Sequence, residues 1–174
     1  DSYAYLTTKK AIAAINAGHF HNEILPLQER IKDVPAVDQL HTIDEGVRFN
    51  ASLEAISGLK LLQEGGRLTA GTVSQICDGA SGVMVVNAAG LKALGVEPLA
   101  RIHHISVIGH DPVIMLEAPI PATERALKMA GMGIDDIDLF EVNEAFASVP
   151  LAWLQATHAD PERLNISGGA IALG

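Results

Sequence analysis

A single cysteine, Cys77, stands among 174 residues, so the chain can form neither an internal disulfide nor a cysteine-based metal site. That usage fits a reducing compartment. Aromatic residues are scarce at 4%, which leaves aliphatic side chains and alanine to fill any core. No apolar run approaches the ~18 residues of a membrane span. The opening Asp-Ser-Tyr has no basic stretch followed by an apolar one, so no signal peptide is visible, and a cytoplasmic location is expected. There is no initiator methionine either, and the sequence is expected to begin inside a longer gene product. Neither His-Glu-x-x-His, nor Gly-x-x-x-x-Gly-Lys, nor Gly-x-Gly-x-x-Gly after a strand occurs. The adjacent His103 and His104 would point to opposite faces of a strand, and no metal site is expected.

Positive charge is also in short supply. The formal charge is −9, a surface that repels phosphate backbones and argues against a nucleic-acid partner. The imbalance is uneven: residues 1–73 carry seven Lys/Arg against nine Asp/Glu, residues 74–174 five against twelve. An anionic ligand would find its partner in the first part.

What is present is the composition of a folded core, 48% apolar and 19% charged. Alanines with Tyr5, Ile12 and Ile15 at helical spacing predict a helix within 2–18, capped at its end by Gly18. From Phe20 to Gly46 short apolar pieces such as Ile24-Leu25 and Ile31 are interrupted, a loop-rich stretch with one strand. A short helix is expected over 51–62, ended by Gly65-Gly66. Ser74–Ala80 reads as the start of a helix carrying Cys77 as a small buried residue, and Val83–Val86 as a buried strand. Beyond Pro98 the types alternate. Strands are expected at Ile102–Ile108, Asp138–Val142 and Leu164–Ile166. Helices are expected at Pro121–Ala130 and Glu144–Ala156, the second kinked by Pro150. Strand, helix, strand, helix, strand predicts an α/β fold with a parallel sheet. Such a sheet needs cover on both faces, which this length scarcely supplies, so a larger fold is implied.

Three stretches could carry chemistry. Asn143 follows Leu139–Val142 and precedes Glu144-Ala145-Phe146-Ala147, which puts it at a strand's carboxyl end and at the N-cap of the expected helix. Ligands of open α/β sheets bind at that edge, although an ordinary helix cap is the simpler reading. Thr69-Ala70-Gly71-Thr72-Val73-Ser74 offers small residues that let a ligand approach the backbone, or alternatively a cap. Arg48, in Asp44-Glu45-Gly46-Val47-Arg48, is either a solvated charge or a guanidinium that meets a base or a phosphate.

Together and in chain order, these stretches resemble the thiolases, the acetyl-CoA acyltransferases. Residues 139–147 are similar to that family's Asn-Glu-Ala-Phe motif, and 165–174 to the run leading into its Gly-His-Pro motif. Residues 69–80 are similar to its Thr-Ala-Gly-x-x-Ser…Asp-Gly-Ala segment, and Asp44–Arg48 to its Asp-Glu-x-x-Arg. The likeness covers the whole chain. A related subgroup with His-Asp-Ala-Phe is excluded by Asn143-Glu144, and the same motif argues against the condensing enzymes of fatty-acid and polyketide synthesis.

The resemblance implies cleavage of 3-ketoacyl-CoA by CoA, or the reverse condensation, through an acyl-cysteine, in fatty-acid and lipid metabolism such as β-oxidation. Asn143 would hold the water of an oxyanion hole. Arg48 would contact the CoA nucleotide, and Ser74, with Ala70 and Gly71 in its segment, the pantetheine arm. Ala145 and Phe146 would line the reacting end and Met115 the acyl pocket. CoA and acyl-CoA would be substrates, with no tightly bound cofactor, and the assembly a homodimer or homotetramer. The family's nucleophilic cysteine would lie before Asp1 and its Gly-His-Pro histidine after Gly174, so this chain by itself is expected to be inactive. Met115-Leu116-Glu117-Ala118-Pro119 replaces both glycines of the family's Met-Gly-x-Gly-Pro, and Thr72 stands where the family usually has Asn.

By the same resemblance the fold is a partial thiolase-like α/β fold. Residues 1–73 would close the loop domain, 74–97 supply the last helix and strand of the first half, and 98–174 open the second half. The alternative is a non-catalytic CoA- or lipid-binding or interaction module on the same fold.

Overall fold

The computed structural model describes residues 1–28 and 40–174. Ile31 and the rest of 29–39, part of the loop-rich stretch, lie outside the described residues. The chain divides into two compact units, one made of Asp1–Ile76 with Asp138–Gly174, the other of Cys77–Ile137.

The first unit is built around α1 (Ser2–Asn16). Its buried residues, Ala4, Thr7, Thr8, Ala11 and Ala14, recur at helical spacing, so one face of small side chains turns inward. Thr8 completes its own hydrogen bonding on the helix by donating to the Ala4 carbonyl at 2.8 Å. That face is small enough for other backbones to come close. The helices α2 (Leu53–Ser57) and α6 (Ala170–Leu173) pack on α1, and Ala4, Ile56, Ala147 and Ile171 form a shared core with Tyr3 and Tyr5 at its margin. A second apolar centre holds Trp153 of α5 (Ser148–Thr157) against Phe140, with ring centroids 5.0 Å apart, beside the buried Leu164.

The expected strands at 138–142 and 164–166 lie side by side as a parallel pair. Phe140 N–H donates to the Arg163 carbonyl and Asn165 N–H to the Phe140 carbonyl, both at 2.9 Å. Only one bridge forms, so neither becomes a named strand. The two-residue strands β1 (Leu27–Gln28) and β2 (Leu40–His41) pair antiparallel within the loop-rich stretch. The helix expected over 51–62 is confined to α2, because Gly58 already closes it.

The second unit contains α3 (Ala88–Leu94) and α4 (Pro119–Ala130). The latter starts at Pro119, two residues before the expected Pro121, and stops as expected at Gly131, whose φ of 67° sends the chain out of the helix. Four other expectations fail here and at the unit's edge. No helix forms over Ser74–Ala80, and the exposed Cys77 is not a core residue. The helix of this region is α3, whose signals, Asn87 capping Gly90 N–H and Gly95 just past the end, are present in the sequence. The segments Val83–Val86 and Ile102–Ile108 form no strand and expose most of their apolar side chains; Val83 is 90% accessible. A strand needs a neighbour for its N–H and C=O groups, and among the described residues none pairs with these.

Candidate active site

In the first unit, α5 begins at Ser148 and not at Glu144, so Asn143 caps no helix. The residues between are held in a different way. Ser74 N–H donates to the Ala145 carbonyl at 3.1 Å and Ala147 N–H to the Thr72 carbonyl at 2.9 Å, which pairs Val73 with Phe146 in an antiparallel bridge. The late start also moves Pro150 into the first turn of α5. Its missing N–H has no helical acceptor there, so the expected kink has no cause.

Asn143 itself is exposed, while Val142 and Glu144 on either side are buried. Both neighbours are gripped. Asn165, itself buried and with φ at 44°, accepts Val142 N–H through Oδ1 and donates through Nδ2 to the Val142 carbonyl, each at 2.9 Å. Glu144 is wholly inaccessible to solvent, yet four donors meet its carboxylate. Tyr3 OH (2.7 Å), Thr7 Oγ1 (2.8 Å) and Asn165 Nδ2 (3.0 Å) reach Oε1, and Ile171 N–H (3.1 Å) reaches Oε2. Every partner donates, which suits a carboxylate, an acceptor-only group with no hydrogen of its own to offer. Burial, then the hydrogen bond to Glu144, raises the Tyr3 phenol above its ordinary range. Partial desolvation, followed by the charge of Glu144, also raises Glu141, while Lys10 opposes the shift.

The segment that pairs with Ala145–Ala147 also walls a cavity of about 360 Å³ in the same unit. Ala70, Gly71 and Gln75 line it on one side, Arg48, Ile56 and Leu59 on another, and Ile171 and Ala172 on a third. Gly71 sits close to both Ile56 and Leu59, where an added Cβ would stand 3.2 Å from Ile56 Cγ2 and displace the exposed end of Leu59. The Thr69–Thr72 turn is fastened by the Thr72 hydroxyl, which accepts Thr69 N–H and donates to the Thr69 carbonyl, both at 3.1 Å. Arg48 is exposed at the cavity, and no ion pair to it is found among the described residues.

The structure therefore gathers Arg48, Ala70 and Gly71 in one cavity, and sets Ser74 on the backbone of Ala145 beside Phe146 and Asn143. Met115 belongs to the other unit. There it is exposed at a φ of 25°, in a turn after Asp111. The Asp111 carboxylate accepts Ile114 and Val113 N–H, and these bonds hold its pKa below the ordinary value.

Two residues of this site escape a reading of the sequence. Gln75 Nε2 faces the carbonyls of Gly46 (2.9 Å), Ala172 (3.0 Å) and Ile171 (3.1 Å), tying the Arg48 segment to α6. Nothing in the local sequence marks it. Glu144 does leave a signal: a carboxylate directly after an apolar strand is either at a helix start or buried with partners, and sequence alone favours the helix start.

Residues 1–89 match the family model of the thiolase N-terminal domain, and residues 96–174 that of the thiolase C-terminal domain. Over 174 residues the chain is 49% identical to a steroid 3-ketoacyl-CoA thiolase of Mycobacterium tuberculosis, covering all of this chain and 41% of that protein. It is 42% identical to an acetyl-CoA acetyltransferase of Pseudomonas aeruginosa, covering 44% of it. Among solved structures, the Bacillus anthracis acetyl-CoA acetyltransferase superposes with a TM-score of 0.88 at 33% identity, over all of this chain and 44% of that one. The human mitochondrial 3-ketoacyl-CoA thiolase superposes with a TM-score of 0.86 at 37% identity, over all of this chain and 43% of that one. The chain thus spans a little under half the length of the relatives it matches.

Proposed function

The chain belongs to the thiolase family, and from that premise we propose that it forms the central section of an acyl-CoA acyltransferase acting on 3-ketoacyl-CoA. The observation that supports this most is the placement of Asn143. Its amide stands in the open between two clamped, buried neighbours, on a segment bridged to the strip that lines the Arg48 cavity. An amide held at such a place can help supply a donor to the developing negative charge of a thioester enolate.

In this reading Asn143 holds the water that hydrogen-bonds the thioester oxygen. Arg48 meets the nucleotide phosphates of CoA, and Ala70, Gly71 and Ser74 pass the pantetheine arm toward Ala145 and Phe146. Arg48 suits the phosphates because its charge is permanent and, among the described residues, no acidic partner competes for it. The nucleophilic cysteine and the catalytic histidine come from sequence outside these residues. The exposed Cys77 is neither. Residues 1–73 then close the loop domain, 74–97 end the first half and 98–174 open the second. Assembly as a dimer or tetramer is carried over with the family.

The test is thiolysis by the complete protein, assayed with acetoacetyl-CoA, a long linear 3-ketoacyl-CoA and a steroid side-chain 3-ketoacyl-CoA. The last is included because of the name borne by the relative at 49% identity. Asn143→Ala is expected to lower kcat by about 10²–10³-fold, the loss typical of one oxyanion-hole donor. An unchanged kcat in that variant removes Asn143 from the mechanism. The 174-residue chain assayed by itself is expected to show no turnover, since the acyl acceptor is missing.

A further inference from the structure

We propose that Glu144 is a positioning residue that fixes the Asn143 amide for the reaction, an inference that rests on the reading of Asn143 given above. Glu144 has no solvent access and does not reach the cavity, so it does not touch substrate. Its carboxylate instead joins its own segment to two stretches far from each other in sequence, α1 and residues 165–171. Tyr3 and Thr7 bind it from α1, Asn165 from the 164–166 segment that pairs with Phe140, and Ile171 N–H from the first turn of α6. Asn165 closes the circuit by holding both backbone groups of Val142. The residues immediately before and after Asn143 are therefore fixed through one shared network. Neighbouring residues of a non-helical segment face opposite ways, so burying Val142 and Glu144 leaves Asn143 to project outward.

The second half of the device is α6. Gly169 N–H donates to Thr7 Oγ1 at 2.9 Å, and Thr7 passes a hydrogen bond on to Glu144. Ile171 and Ala172 continue from there into the wall of the Arg48 cavity. One carboxylate thus sets both the Asn143 segment and one side of the cavity. Replacing Glu144 by Gln keeps the shape and changes only the donors. Its Oε1 still serves Tyr3, Thr7 and Asn165, but its NH₂ then faces Ile171 N–H, donor against donor.

The experiment is kinetics of the complete protein with acetoacetyl-CoA for Glu144→Gln, Asn143→Ala and the double variant. The expected result is a loss of about 10–100-fold in kcat for Glu144→Gln with KM within about twofold, the size of effect that a misplacement near 1 Å produces. The double variant is expected to be no slower than Asn143→Ala, since Glu144 acts through Asn143. If Asn143→Ala is slow while Glu144→Gln keeps the wild-type kcat, the positioning role is wrong and the reading of Asn143 stands. Losses that multiply in the double variant overturn the positioning role in the same way. If Asn143→Ala keeps the wild-type kcat, both ideas fall. Should Glu144→Gln not fold, Tyr3→Phe removes a single donor from the same carboxylate. It is then expected to lower kcat severalfold and to add nothing to Asn143→Ala; no loss, or a multiplied one, overturns the proposal.

Discussion

A Cβ added to Gly169 would stand 2.7 Å from both carboxylate oxygens of Glu144, so the buried acid fills the space that any side chain at this position would need. The preceding Gly168 has φ at 83°, and its own added Cβ would meet Ala11 Cβ at 2.7 Å. The Gly-Gly pair is thus demanded by a helix of small residues on one side and a buried acid on the other.

Gly169→Ala is expected to destabilise the protein by about 1–3 kcal/mol, the usual cost of overpacking, because Glu144 has no free direction in which to withdraw. A thermal melt of the variant checks this, with a Tm several degrees below wild type as the expected outcome. An unchanged Tm would mean that the Glu144 network is soft.

Thr72→Val strips the hydroxyl that fastens the Thr69–Thr72 turn and leaves Thr69 N–H without that acceptor in a buried setting. A loss of about 1–3 kcal/mol is expected, whereas Thr72→Ser stays close to wild type. Denaturant titration of the two variants side by side separates the hydroxyl from the methyl group.

Arg48→Ala is expected to raise KM for CoA substrates by about 10–100-fold while kcat stays near wild type. A charge-assisted contact to a phosphate remote from the reacting bond contributes equally to ground and transition states. Steady-state kinetics of the complete protein reads the split. A fall in kcat with KM unchanged would place the guanidinium elsewhere in the mechanism.

Glu141 supplies the pH dependence. Its folded-state pKa is raised, so the native protein holds this proton more tightly than the unfolded chain does. Stability linked to Glu141 is therefore complete below the ordinary carboxylate range and is lost as pH climbs through the raised value. At neutral pH the group is charged at a disadvantage. Glu141→Gln is expected to melt higher than wild type near pH 7, and the gap is expected to close as pH falls below the ordinary value of 4.5. Paired melts across that range test the sign, and a gap that widens in acid contradicts it.

Much of the candidate site is legible in the order of residues. Motif spacing brings Arg48, Ala70, Gly71, Ser74, Asn143, Ala145 and Phe146 into one hypothesis; in the first unit Arg48, Ala70 and Gly71 line one cavity and Ser74 bonds to Ala145. The helices with strong punctuation, α1 before Gly18 and α4 between Pro119 and Gly131, are equally plain, because proline and glycine act locally on φ and on hydrogen bonding.

Other features depend on groups distant in sequence. Val83–Val86 and Ile102–Ile108 have the apolar texture of buried strands, but a strand exists only where a second chain segment accepts its hydrogen bonds, and no local pattern supplies one. Glu144 looks like the first turn of a helix until Tyr3, Thr7, Asn165 and Ile171 surround it. The sequence by itself determined the family, the motif residues and the capped helices, each a matter of nearest neighbours. Only the tertiary structure decided that an acid would be buried and fully bonded beside an exposed amide. Desolvating a carboxylate is tolerable only when donors arrive to satisfy it, here from α1 and from residues 165–171, both distant in sequence.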